Sequence, residues 1–387
     1  MSVPYWRLSG FYFFYFATLG GFLPYWSLYL KSLGFNPGEI GELSAFLVGT
    51  KIIAPNIWGW IADYTGKSLR IIRIACFLSA CLFAAFLWVR GYFWFAAITV
   101  AFSFFWNAAL PQFEAATLFH LKSERHRYSE IRLWGSVGFI ATVVFMGWLL
   151  DSLTIEILPQ VITVLLIVLW LAALITPEAK ATVGERGTVR ISHLLMKPEI
   201  IAFFTVYLLI QLAHGPYYVF FSLFLKSHGY SSTMTGVLWS LGVVAEIILF
   251  LFMRKILARF SLRKILLTSL VLSIVRWNMI AYFPDHIGLL IGAQVLHAAT
   301  FGATHVAAIH LVDHYFGHQH QGKGQALYSS MSFGLGGMLG SLYSGYLWES
   351  WGPERVYALA AVSCAIALII AYVWVGRNNA QEALVQS

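Results

Sequence analysis

The sequence has little charge and almost no cysteine. Asp, Glu, Lys and Arg make up 11% of its 387 residues, against about 25% in a soluble globular chain. A soluble fold would need far more polar surface than this chain owns, so a soluble enzyme is excluded, and so is a charge-rich disordered chain. The three cysteines, Cys76, Cys81 and Cys364, stand in apolar runs. Without Cys-x-x-Cys or Cys/His spacing they support neither a disulfide framework nor a thiolate metal site. No G-x-x-x-x-G-K-[ST] loop is present, so a nucleotide is not the direct energy source. The period-2 alternation of an outer-membrane barrel is missing as well. So is any polar region long enough for an extramembrane catalytic or sensory domain.

What is present is apolar length: 59% of the residues are hydrophobic and 17% aromatic. A membrane-spanning helix needs about 20 mostly apolar residues. Twelve stretches qualify, at 6–30, 40–63, 70–89, 92–120, 129–150, 158–176, 199–226, 233–257, 264–283, 287–315, 322–348 and 353–375. The first opens with Arg7 and carries no small-residue cleavage pattern, so it reads as a retained helix. The fold class is therefore an all-α membrane protein with twelve transmembrane helices.

The loops alternate in basic content. One set holds 18 of the 25 Lys and Arg residues, and the other holds only Lys31, Arg90, Lys226 and Arg355. The positive-inside rule then places both termini in the cytoplasm of a bacterial-type inner membrane, as an even helix number requires. The net charge of +8 thus reports topology, and nucleic acid is not an expected partner. The longest polar stretch, 177–198, reads as a cytoplasmic linker between an N-terminal six-helix bundle (1–176) and a C-terminal one (199–376), followed by a cytoplasmic tail at 377–387.

An internal repeat supports that division. Leu30-Lys31-Ser32-x-Gly34-Phe35, with Gly41, returns as Leu225-Lys226-Ser227-x-Gly229-Tyr230, with Gly236. The offset is 195 residues, and it also maps Gly20 and Ser27 onto Gly215 and Ser222. Same-direction repeats of six helices belong to the parallel kind found in transporters.

Between stretches two and three the chain reads Gly59-Trp60-Ile61-Ala62-Asp63-Tyr64-Thr65-Gly66-Lys67. This resembles the G-x-L-A-D-x-x-G-[RK] signature of the major facilitator superfamily, whose fold is two six-helix bundles. The resemblance implies a secondary transporter working by alternating access, with Asp63, Gly59, Gly66 and Lys67 in a gate. Pro111-Gln112-Phe113-Glu114-Ala115, followed by Arg132-Leu133-Trp134-Gly135, resembles the helix-four glutamate and helix-five arginine of the lactose permeases. Glu246, Arg276 and His297 match further polar positions there, while Thr300 stands where those permeases carry an acidic proton carrier. The runs Arg132–Gly138 and Trp239–Glu246 are more similar still to the bacterial 3-phenylpropionic acid transporters.

Ionisable residues at membrane depth are costly and usually functional. Lys51 lies 12 residues before Asp63, about 18 Å along a helix, and Arg276 is as far from Lys264. Lys51 and Glu246 are repeat equivalents. Lys51, Arg132 and Arg276 outnumber Glu114 and Glu246, so the deep charge favours an anionic substrate group that would neutralise the surplus. The alternative for Lys51 is a structural pair with Glu114. Glu246, Arg276 and His297 form a candidate proton-coupling cluster, or else a packing triad. Burial favours the protonated carboxyl and a nearby arginine the ionised one, so movement of the arginine would let Glu246 take or release a proton. Histidine as a residue type ordinarily titrates near neutrality, so His297 is expected to share that role.

Trp26, Trp106, Tyr218 and Trp239 lie in stretches that also carry polar groups, and are pocket candidates beside Lys51, Glu114, Arg132 and Glu246. His310-x-x-Asp313-His314, followed by His318 and His320, reads as a polar segment. No metal and no cofactor is expected. The expected activity is proton-coupled symport of a small organic anion such as an aromatic carboxylic acid; a sugar or nucleoside symporter is the alternative. The expected partners are the small-molecule substrate, protons and the bilayer, for a monomer.

Overall fold

The computed structural model describes residues 3–121, 124–178 and 192–376. Every regular element among them is helical: α1 (Tyr5–Phe22), α2 (Trp26–Ser32), α3 (Pro37–Gly49), α4 (Ala54–Thr65), α5 (Ser68–Ala84), α6 (Tyr92–Leu121), α7 (Tyr128–Ser152), α8 (Leu158–Ile175), α9 (Ser192–Leu195), α10 (Pro198–Ser227), α11 (Ser232–Arg259), α12 (Leu262–Tyr282), α13 (Ile287–His297), α14 (Thr304–Ser329), α15 (Gly337–Trp351) and α16 (Pro353–Trp374), with short 3-10 and π-helical segments between some of them.

Ten helical runs among the described residues are long and apolar enough to cross a membrane. The sequence had indicated twelve. The two that fall short are broken or polar: α1 and α2 are parted by a turn at Leu23–Tyr25, around Pro24, and the eleventh stretch is rich in Gly and Ser and π-helical over Ser330–Gly336. Gly317, at φ +64°, ends the tenth helix inside α14. Most of the expected linker (179–191) and the tail lie outside the described residues.

The chain divides into two compact units, Met1–Gly187 with Gly229–Val237, and Thr188–His228 with Leu238–Ser387. The first unit thus takes in the start of α11. There the Asp151 carboxylate accepts hydrogen bonds from the backbone N–H groups of Ser232 (2.7 Å) and Thr233 (2.9 Å), satisfying donors that a helix N-terminus leaves open.

Within the first unit α1 packs on α7 and α8, and α5 on α6 and α8. Within the second, α10 packs on α15 and α16, and α12 on α13 and α16. These pairings correspond element by element under the 195-residue offset. Glycine permits the closest of them. A Cβ on Gly138 would sit 2.2 Å from the Phe13 carbonyl oxygen, and one on Gly215 would sit 2.3 Å from the Gly340 carbonyl carbon. Small residues let helix backbones touch where there is no hydrophobic driving force between helices.

Candidate substrate and proton sites

The first unit breaks its second membrane helix at Lys51. α3 stops at Gly49, residues Thr50–Ile52 form a 3-10 turn, and α4 resumes at Ala54 with Pro55 in its first turn. Proline has no N–H and its ring crowds the carbonyl four residues earlier, which here is that of Lys51. Irregular backbone at membrane depth is tolerated where protein or water satisfies it. Asn107 on α6 does so: its Nδ2 donates to the Leu47 carbonyl oxygen (3.2 Å) and to Thr50 Oγ1 (2.8 Å). Lys51 itself is half-buried. Among the described residues it has no hydrogen-bond or ion-pair partner.

Glu114 is not that partner. Its Oε1 lies 3.6 Å from Arg132 Nε, so the structural pairing weighed for Lys51 is not formed. Arg132 also lies over the rings of Phe16 (4.1 Å) and Tyr12 (5.4 Å). Gly135 makes room for it, since a Cβ there would reach 3.0 Å from Arg132 Nη1 and 2.7 Å from Phe16. Trp106 stacks on Tyr15 with centroids 4.3 Å apart, and Trp26 packs among Phe22, Tyr29, Phe83 and Phe86. Gly59 approaches Gln112 of α6, Gly66 closes α4 at φ +64°, and Lys67 is exposed. Asp63 is helical, and its side chain lies outside the described residues.

In the second unit Glu246 and His297 come together: Oε1 and Nε2 are 2.8 Å apart, and both side chains are largely buried. Gly242, one turn before Glu246, leaves the space, because a Cβ there would lie 3.3 Å from His297 Cδ2. Directly after His297 the helix widens into a π-helical stretch, Ala298–Ala303. Such stretches recur at functional sites. Tyr218 is half-buried beside His214, Trp239 and Phe301. Trp239 is buried, with its Nε1 donating to Ser222 Oγ at 3.1 Å.

Arg276 does not join the glutamate. It is fully buried, and no carboxylate oxygen lies within 4 Å of it among the described residues. Its Nε donates to the Ala293 carbonyl (3.0 Å) and its Nη1 to Thr300 Oγ1 (3.1 Å), with His214 Nε2 at 3.5 Å from the same nitrogen. An arginine N–H can face only a lone pair, so Nδ1 of His214 carries that ring's proton and donates to the Ile210 carbonyl at 2.8 Å. The guanidinium carbon lies 4.5 Å from the Tyr217 ring centroid and 4.4 Å from that of Trp277. The sequence reading missed this neutral shell, together with Asn107 and the break at Pro55. Thr300 follows His297 by three residues and so shares its helix face. Pro55 follows Lys51 by four, and an interrupted apolar segment is itself a pointer to a transporter's binding site.

A profile of the MFS_1 like family matches residues 5–359. The chain belongs to that family. It is a major facilitator transporter, not an enzyme. Among curated relatives, the "Probable 3-phenylpropionic acid transporter" of Escherichia coli (strain K12) is 29% identical, over 91% of this chain and 93% of its own length. The "Maltose permease" of Geobacillus stearothermophilus is 26% identical over 93% and 92%. Among solved structures, one of the nucleoside transporter NupG superposes with TM-score 0.86 at 18% identity, covering 95% of this chain and 98% of that one. At that identity the likeness carries the fold alone. It joins this transporter to the major facilitator fold of two six-helix bundles.

Proposed function

We propose that this transporter carries a small organic anion, in particular an aromatic carboxylic acid, together with protons, by alternating access across a bacterial-type inner membrane with both termini in the cytoplasm. One observation carries the reading: Lys51, on the broken second helix, is a half-buried cation with no partner among the described residues, while the carboxylate that would have paired with it is held by Arg132. A buried charge without a counter-ion is costly, and a substrate carboxylate removes that cost. The name of the Escherichia coli relative points to the same substrate class. Protons are assigned to the Glu246–His297 pair, because a carboxylate and an imidazole 2.8 Å apart hold one proton more or less as their surroundings change.

The runner-up is a neutral sugar or nucleoside. It draws on the half-exposed Glu114–Arg132 pair, whose acceptor and donor groups suit hydroxyls. Uptake by purified protein in proteoliposomes separates the two. Labelled 3-phenylpropionate is expected to accumulate when an inward-directed pH gradient is imposed, and labelled maltose and uridine are not. Accumulation of maltose or uridine without 3-phenylpropionate sinks the proposal.

A further inference from the structure

Among the described residues, Asn107 is the one buried amide that reaches the break in the second helix. Its Nδ2 bridges the Leu47 carbonyl oxygen and Thr50 Oγ1, and the Thr50 hydroxyl donates to that same carbonyl at 2.9 Å. The three groups close a ring around the point where α3 ends and the 3-10 turn begins. Prolines act on both strands of this contact: Pro55 brings no N–H to the Lys51 carbonyl, and Pro111, inside α6, brings none to that of Asn107. A helix left to itself at this depth recovers its own hydrogen bonds, because hydrocarbon offers no others. The Asn107 amide supplies a competing donor and so holds the turn in the 3-10 form.

We propose that Asn107 is a positioning residue for transport: it fixes the helix break and thereby the place at which Lys51 meets the substrate carboxylate. The proposal rests on the carboxylate reading above. Lys51 follows Thr50 directly, so any rewinding at Thr50 rotates the root of the lysine side chain. One residue of helix corresponds to about 100° around the axis, more than the flexible stem can make up while the ammonium stays on one target. Asn107 need not touch the substrate for this.

The test uses full-length protein in proteoliposomes, with 3-phenylpropionate as transported probe and 3-phenylpropionamide as competitor. Asn107→Ala removes the donor. Thr50→Val removes the bridging hydroxyl at nearly constant volume, which guards against a simple folding defect. Each is expected to raise KM for the acid about five- to tenfold, since displacing a binding group by an ångström has effects of this order or larger. The maximal rate and the inhibition by the amide are expected to stay within twofold. In a Lys51→Gln background the same two changes should add nothing, because the group they position is gone. Equal weakening of acid and amide, loss of maximal rate alone, or a full effect that persists without Lys51 overturns the proposal and makes Asn107 a plain packing residue. If Lys51→Gln weakens the acid selectively and Asn107→Ala does not, only the positioning role falls. If Lys51→Gln leaves acid and amide binding unchanged, the carboxylate reading falls and takes this inference with it.

Discussion

Lys51 and Arg276 are both cations at membrane depth, each without a carboxylate within 4 Å among the described residues, and the two units house them in opposite ways. Arg276 is fully buried in a neutral shell: a carbonyl, a hydroxyl, an imidazole lone pair and two aromatic faces, with Nη2 alone lacking a hydrogen-bond partner among the described residues. Lys51 is half-buried on a broken helix, and the hydrogen bonds around it serve the backbone rather than the ammonium. A cation whose hydrogen bonds are mostly made gains less from a ligand than one whose ammonium has none. Under the proposed function, structure falls to Arg276 and binding to Lys51, although residue type and depth alone rank them as equals.

The largest expected effect falls on Arg276. Arg276→Gln leaves two or three of its acceptors unpaired, at about 1–3 kcal/mol each, offset in part by relief of the buried charge. A net loss of about 3 kcal/mol is expected. It should appear as a lower melting temperature in detergent, with unchanged preference for acid over amide in the protein that remains folded. A selective loss of acid binding would break the comparison, since it would give Arg276 the role reserved for Lys51.

Next comes Glu246→Gln, which removes the carboxylate from the His297 pair. Uptake driven by a pH gradient is expected to fall about a hundredfold, the scale of losing a positioned acid–base group. Exchange of labelled for unlabelled substrate, which needs no net proton movement, should persist. Equal loss of uptake and exchange would make the pair a packing contact, as the sequence reading allowed.

Lys51→Gln should act more weakly and more selectively. Attraction between an ammonium and a carboxylate about 4 Å apart is roughly 4 kcal/mol at an effective dielectric of 20. If desolvation cancels three quarters of it, about 1 kcal/mol remains, five- to tenfold in affinity. The acid should lose that factor in a binding titration and the amide should not. Equal losses would mean that the ammonium is structural and would move the sugar or nucleoside reading ahead.

Much of this molecule was legible in the sequence because hydropathy and repeats are properties of long segments. The 195-residue offset that pairs Leu30 with Leu225 reappears as matching helix contacts in the two units. The approach of Glu246 to His297 was legible only through resemblance, since nothing in the spacing of residues on different helices fixes a 2.8 Å contact. Side-chain partners were the weakest part of the reading. Glu114 and Lys51 both lie deep, but depth says nothing of lateral position, and Arg132 was the nearer cation. Arg276 was grouped with Glu246 and His297 through the same resemblance, and the structure gives it instead an acceptor set that charge counting ignores: a carbonyl, a threonine and a neutral histidine. The π-helical stretch after His297 leaves no trace in a sequence of small residues such as Ala298-Ala299.

Thr300 gives the finest test of the difference between the two cations, and the smallest expected effect on transport. It occupies the position where the resembled permeases carry an acid, and here its hydroxyl accepts from Arg276 at 3.1 Å. Thr300→Val keeps the shape and removes the acceptor, at about 1.5 kcal/mol, the low end for a hydrogen bond to a charged group. Thr300→Ser keeps the acceptor and should cost less. If the arginine shell is structural, the valine variant lowers the melting temperature slightly and leaves both the acid-to-amide ratio and the response to a pH gradient as they were. A valine variant that uncouples uptake from the gradient, with the serine variant normal, would instead make the Arg276–Thr300 contact part of proton transfer. Arg276 would then communicate with the Glu246–His297 pair through the turn of helix that joins His297 to Thr300, and its neutral shell would be one state of a switch rather than a fixed support.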